Sequence, residues 1–489
     1  MTNMKRILTT AIACLLTTVA NAQVPPQAPA QAPAQAPAQA PATEPSTSLI
    51  DIYKRALDND PAFREAEAQY LVTSQGKPLA RSFLLPNLSL TGVRSNRHQD
   101  TAGGAIATTG QSAGSRSVVD LDTQGWGVSL TQTVFDWGQL KTLKQADKRV
   151  AQAETTYEAA KQDLTTRVAT RYFAVLQSED NLASARSARE AISRQLEQAQ
   201  RRFEVGLIAI TDVQQSQAGY DTAVATEIQA QQTLATAHEF LREIIGEDVA
   251  KLAGPKDDFP LLSPDPMSPE EWVRRALAEN LTLNAQRLAL DVANDQIEID
   301  RGSRLPKLSL SANYSDNTVD QTQTLYNSPL PNCPPAPAPC TSFSPTQPTT
   351  SGWSLNLTFP IFTGGYNSAK IQQSVYNSRL TEQTLERITR QTERQTRDSY
   401  LTVLSDISRV RALRQSVESN RTALRATEAG FEVGTQTTVD VLVAQNALRL
   451  AETDYAQSRY NYLLAVLALK QASGSLSEAD VMEIDGWLQ

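Results

Sequence analysis

The chain reads as an α+β membrane protein, built from a duplicated unit of long antiparallel helices with four transmembrane β-strands per chain. Three observations predict this. Motifs of the first half return in the second about 220 to 228 residues later. Arg202-Phe203-Glu204-Val205-Gly206 with Thr211-Asp212-Val213 returns as Gly430-Phe431-Glu432-Val433-Gly434 with Val439-Asp440-Val441. Leu85-Pro86-Asn87-Leu88-Ser89-Leu90 returns as Leu305-Pro306-Lys307-Leu308-Ser309-Leu310. A repeat this long lies outside the solenoid range, so the halves are pseudo-symmetric parts of one assembly. The second observation is a switch of apolar period between two and three-to-four along each copy. The third is that, past the N-terminal segment, no run of about 18 apolar residues occurs, so any membrane contact must be made with strands.

Residues 1–22 carry Lys5 and Arg6, a short apolar run, and Ala20-Asn21-Ala22 ahead of Gln23. This is the pattern of a cleaved secretory signal. A lipoprotein signal using Cys14 is the alternative, although Ala11 stands where such signals favour Leu. Residues 23–48 are a Pro-Ala-Gln repeat that cannot bury a core and is expected to be a disordered tether. The first repeat is then expected over 49–255, a proline-rich linker over 256–268, and the second repeat over 269–489.

In each repeat a helical segment comes first, from about Leu49 to Arg81 and from about Pro269 to Ser303. Strand pairs follow. Leu88 and Leu90 alternate with polar neighbours, as do Trp126, Val128, Leu130 and Val134. In the second copy Leu308, Leu310, Ala312 and Tyr314 alternate, then Trp353, Leu355, Leu357, Phe359 and Ile361. One apolar and one polar face suit a strand between lipid and water. The polar stretches between partners, from about Arg94 to Thr123 and from about Ser315 to Ser351, resemble surface loops. Phe83, Phe135, Trp137, Phe359 and Phe362 cluster at the opposite strand ends, where an interfacial girdle would sit.

A long helix comes next. Leu143, Ala146, Val150, Ala153, Tyr157, Ala160 and Leu164 form a heptad seam. No proline or interior glycine interrupts Gln139 to Phe203, which at 1.5 Å per residue spans roughly 95 Å. The second copy runs from about Asn367 to Phe431. Each rod ends at a Val-Gly turn, and a partner helix returns from about Asp212 to Ile245 or Asp440 to Ala472, with Thr211 and Thr438 as expected caps.

Composition excludes several functions. Net charge is −8 and the only histidines are His98 and His238, so neither a basic nucleic-acid face nor a histidine metal site has support. No GxSxG, phosphate loop or paired histidines occur, and the chain is not expected to be an enzyme or to carry a cofactor. Cys333 and Cys340, an isolated pair in a Pro-rich stretch of an exported chain, are expected to form a disulfide. A periplasmic coiled-coil adaptor or structural protein is the alternative reading of the helices.

The order of elements, the paired Leu-Pro-x-Leu-Ser-Leu strand entries and the repeated Phe-Glu-Val-Gly turns together resemble the TolC family of outer-membrane efflux and secretion ducts. The resemblance runs from about Leu49 to the C-terminus. It implies a homotrimer with a 12-stranded β-barrel in the outer membrane above a 12-helix α-barrel in the periplasm. It also implies partners, namely a periplasmic adaptor and an inner-membrane pump or ABC exporter. The resemblance places a periplasmic gate at the helical turns: Thr211 and Asp212 at the first, Phe431, Gln436 and Asp440 at the second. Gln436 stands where an arginine often makes an ionic latch in that family, and Val443 where some members carry a second acidic ring, so both features are expected to be weakened here.

Overall fold

A computed structural model describes residues 47–106, 112–249, 251–256, 259–326 and 338–488. The expected signal and tether lie outside the described residues, except for Thr47 and Ser48. Helices α1 (Leu49–Asn59), α2 (Pro61–Ser74) and α3 (Gly76–Ser82) lead to strands β1 (Asn87–Ile106) and β2 (Ser112–Phe135). The rod α4 (Trp137–Glu204) and its return α5 (Ile210–Ile245) complete the first copy. The second copy has α6 (Pro269–Glu279), α7 (Leu281–Gly302), β3 (Lys307–Tyr326), β4 (Cys340–Thr346), β5 (Thr349–Thr358), α8 (Tyr366–Glu432) and α9 (Thr438–Ser473). A short α10 (Glu478–Asp485) follows, capped by a Ser477–Asp480 box.

The segment expected as one helix over 49–81 is divided because Asn59-Asp60-Pro61 stops it. Asp60 caps α2 by accepting from the Phe63 amide at 3.1 Å, and Pro61 supplies a first-turn residue whose missing N–H costs nothing. The same buried carboxylate accepts from Arg167 of α4 at 2.5 Å. Asn280 divides the second-copy segment in the same way, accepting from the Leu283 amide.

At 68 and 67 residues, α4 and α8 each span about 100 Å. α4 packs along α5 and α7, α8 along α9 and α7, and α9 also lies against α4. Their shared core sits where α1, α6 and α10 gather around the rods. Tyr53, Tyr172, Phe173, Leu241, Ile245, Tyr462 and Leu463 are buried there, together with Trp272 and Ile484. Residues of the expected 256–268 linker are tied to this core: Arg459 donates to the Pro255 and Lys256 carbonyls, and the Leu262 amide donates to the Tyr462 hydroxyl at 2.8 Å.

The strands form one antiparallel sheet, β1 to β2 to β3, with β4 and β5 both paired to β3. Register decides the faces, because directly opposed residues share one. Leu88, Leu130, Ala312 and Trp353 form one row, and Leu90, Val128 and Tyr314 the next. Leu310 and Leu355 oppose each other below, then Leu308 and Leu357. This face is open: Leu88, Leu90, Leu357 and Trp353 are each about 70 % exposed or more. From Leu308 to Tyr314 it covers about 20 Å of strand, most of the ~25 Å apolar band of outer-membrane barrels. The opposite face carries Ser89 bonded to Ser129, and Ser311 bonded to Ser354 and Asn356.

Two expectations require correction here. The stretches read as surface loops are mostly strand: β1 and β2 stay paired through Ala105 and Ala113, and β3 extends to Tyr326 with β4 beside its upper half. A break between β4 and β5, at Gln347-Pro348, interrupts the fourth strand. The alternation also slips at a bulge between Thr133 and Phe135, so that Phe135, not Val134, pairs with Leu308 and joins the apolar face. Cys340 opens β4 and is disulfide-bonded; the Cys333 half of the expected pair lies outside the described residues.

Candidate functional site

The two rods end in turns of the same geometry. At the first, the Gly206 amide donates to Phe203 O at 2.8 Å and the Leu207 amide to Arg202 O at 2.9 Å. At the second, Gly434 donates to Phe431 O at 3.2 Å and Thr435 to Gly430 O at 2.8 Å. These are the paired bonds of a left-handed helix stop, and Gly206 and Gly434 hold φ of 74° and 81°. A side chain with a Cβ is strained at either position.

Beyond the glycines the copies diverge. α9 has Thr437 as N-cap, its hydroxyl accepting from the Asp440 amide at 3.3 Å while the Asp440 carboxylate accepts from the Thr437 amide at 2.8 Å. This is a reciprocal capping box. The Thr437 hydroxyl also donates to that carboxylate at 2.6 Å, and with the Thr437 amide it holds the Asp440 carboxyl below the usual carboxylate range. The expected cap Thr438 is instead buried inside the first turn. At the first turn the matching N-cap is Ala209, which has no side chain able to accept, and Thr211, also expected as a cap, is exposed inside α5. Asp212 stands in the first turn of α5, where its charge opposes the positive helix end.

Phe431 lies beneath the Arg202 guanidinium, 4.7 Å from ring centre, which joins the two turns across the pair of hairpins. Gln436 is exposed and folds its side chain over Gly430, where an added Cβ would meet Gln436 Cγ at 2.7 Å. Phe431 also lines a 280 Å³ cavity with Arg194, Gln195, Gln198, Glu432 and Val441. Gln195 crosses from α4 to donate to Thr438 O at 3.3 Å. The five expected residues therefore fall in two groups. Phe431, Gln436 and Asp440 share the second turn, and Thr211 and Asp212 the first. Among the described residues no hydrogen bond or ion pair links the groups. Sequence reasoning missed Arg202 and Thr437, although Thr437-x-x-Asp440 is a legible capping pattern.

Among the described residues no set of three or more side chains gathers to hold a metal, and no helix is long and apolar enough to cross a membrane.

Residues 52–247 and 272–475 match the outer membrane efflux protein family. The chain belongs to that family. As an outer membrane efflux protein it is 35 % identical to the outer membrane protein TolC of Vibrio cholerae over 444 residues, covering 90 % of this chain and 94 % of that one. It is 33 % identical to TolC of Escherichia coli, covering 90 % and 85 %. The alkaline protease secretion protein AprF of Pseudomonas aeruginosa is 28 % identical, covering 88 % and 85 %. Among solved structures, the Campylobacter jejuni CmeC outer membrane channel superposes with a TM-score of 0.69 at 15 % identity, covering 94 % and 97 %, and so shares the fold. The family match falls on both copies of the duplicated unit and leaves out the whole 256–268 stretch.

Proposed function

We propose that this outer membrane efflux protein is the exit duct of a tripartite efflux pump or type I secretion system. Three copies pool their strands into a 12-stranded barrel, and their rods form a 12-helix tunnel in the periplasm. The observation that carries this reading is the exposed, mostly apolar face across β1, β2, β3 and β5, set on rods about 100 Å long. Lipid tolerates no unpaired strand edge, and one chain's strands are too few to close on themselves. The match to TolC and to a protease secretion protein supports both transport modes. A periplasmic adaptor docks on the helical tunnel, and an inner-membrane pump or ABC exporter supplies the energy, the duct itself doing no chemistry. A coiled-coil adaptor leaves the exposed leucines and tryptophan of the sheet unexplained.

In this reading the helical turns ring the periplasmic entrance. Asp440, Asp212, Thr211, Phe431 and Gln436 form the gate, which Gln436 serves without an ionic latch. The strand faces provide the test. Leu357→Arg puts a charge into lipid at about 2 to 4 kcal/mol near the midplane, whereas Asn356→Arg, one residue away, points into a water-filled lumen. Outer-membrane fractions should hold heat-labile trimer for Asn356→Arg and little for Leu357→Arg. Equal loss in both variants would contradict the assigned faces.

A further inference from the structure

Charge is divided between the two faces of the strand sheet. Above its apolar rows, the face of Leu88 and Val128 carries Asp100, Asp120, Asp122, Asp316 and Asp320, together with Arg94, His98 and Arg116. The other face is lined by Ser, Thr, Asn, Gln and Gly with a few aliphatic residues, and it carries two charges. Lys307, at the lower rim, pairs with Asp136 at 2.9 Å. Arg97 stands above the membrane band in the row Arg97, Leu121, Gln321 and Ser344.

Among the described residues nothing on that face compensates Arg97. Its neighbours within the face are Ser95, Gln99, Thr123, Val119 and Gln323, and no described carboxylate stands among them. A neighbouring copy laid against the free edge of β1 would bring β4 and β5, and from Gln321 to Ala369 the sequence has no Asp, Glu, Lys or Arg.

We propose that Arg97 sets a fixed positive charge on the lumen wall near the outer mouth, so that the exit favours anionic solutes. This rests on the duct reading and deepens it, because the acidic Asp440 entrance and the basic Arg97 exit would then select in opposite senses. In a low-dielectric wall such a ring concentrates counter-ions, and salt weakens it as the Debye length falls from ~30 Å at 0.01 M to ~8 Å at 0.15 M.

The test uses the full-length protein in outer-membrane vesicles with Gln321→Cys as a reporter in the Arg97 row. Its rate of modification is measured with a sulfonate-bearing and a trimethylammonium-bearing thiosulfonate, each divided by that reagent's rate with a small free thiol, after subtracting the parent protein. At low salt the anionic reagent should lead by on the order of two- to fivefold, and the lead should shrink at high salt. Arg97→Gln should bring the ratio close to one and Arg97→Glu should invert it, while Arg94→Gln on the opposite face should leave it unchanged. A reactive reporter whose ratio ignores Arg97→Glu would overturn the inference and leave the duct intact. A reporter that never reacts in heat-labile trimer would overturn the water-filled lumen and this inference with it.

Discussion

The two helical turns share a duplicated motif, and among their differences one hydroxyl changes how the return helix is held. Both rods stop through a left-handed glycine with the same pair of backbone bonds. Both return helices carry an aspartate in the first turn, Asp212 and Asp440. Position by position, however, Ala209 faces Thr437. A threonine hydroxyl closes a capping box on Asp440, while an alanine leaves the start of α5 without a side-chain acceptor. A shared glycine fixes where the chain turns, and the cap fixes how firmly the next helix begins. The second turn therefore has a side-chain cap of its own, beside the Gln195 bond to Thr438 O. The first has none, and its Arg202 packs over Phe431 of the second.

The glycines carry the largest expected effect and should show the turns to be alike. Gly206→Val and Gly434→Val each force a branched residue to positive φ, at about 1 to 3 kcal/mol. Both should lower protection of the local amides in hydrogen exchange by a similar factor. A tolerated Gly206→Val beside a disrupted Gly434→Val would mean that the first turn relaxes into another geometry, and the comparison would break there.

A smaller change should separate the turns. Thr437→Ala removes a cap and should cost about 1 kcal/mol, roughly fivefold in exchange at the amides of 438–440, whereas Ala209→Thr should slow exchange at 210–212. The cap also depends on pH. Because Thr437 lowers the Asp440 carboxyl, its contribution is fully present above the usual carboxylate range and is lost as pH falls through the lowered value. Thr437→Ala should move the Asp440 titration, followed by carboxyl NMR shift, upward. An unmoved titration would show that another donor holds it.

Most of the helical architecture was legible because its signals are local. The heptad seam from Leu143 to Leu164 and the absence of helix breakers specify α4, and Val-Gly specifies its end. The lower strands were legible for the same reason, since Leu88, Leu90, Val128 and Leu130 alternate strictly. The upper strands were not. Once β1 and β2 leave the apolar rows, His98, Asp100 and Asp120 replace leucine on the outward face, and the alternation between lipid and water vanishes while backbone pairing persists. The Phe135 slip needed the partner strand to reveal it. At the turns, Asp440 was expected at the gate, and the sequence already held the Thr437-x-x-Asp440 capping pattern. What no local pattern gives is the contact between copies, such as Arg202 over Phe431, because it joins residues far apart in the chain.

The central claim is that the second turn borders the duct's entrance and that Asp440 supplies its charge independently of its cap. Single-channel recording of the full-length protein in planar bilayers, with multivalent cation added from the helical side, tests it most directly. Asp440→Asn should lower cation selectivity and relieve the block, because an amide retains hydrogen-bonding capacity but removes the charge focus. Thr437→Ala, which loses the cap and keeps the carboxylate, should preserve both selectivity and block. Unchanged selectivity in Asp440→Asn, or a loss as large in Thr437→Ala, would contradict the account and leave Asp440 as a capping residue alone.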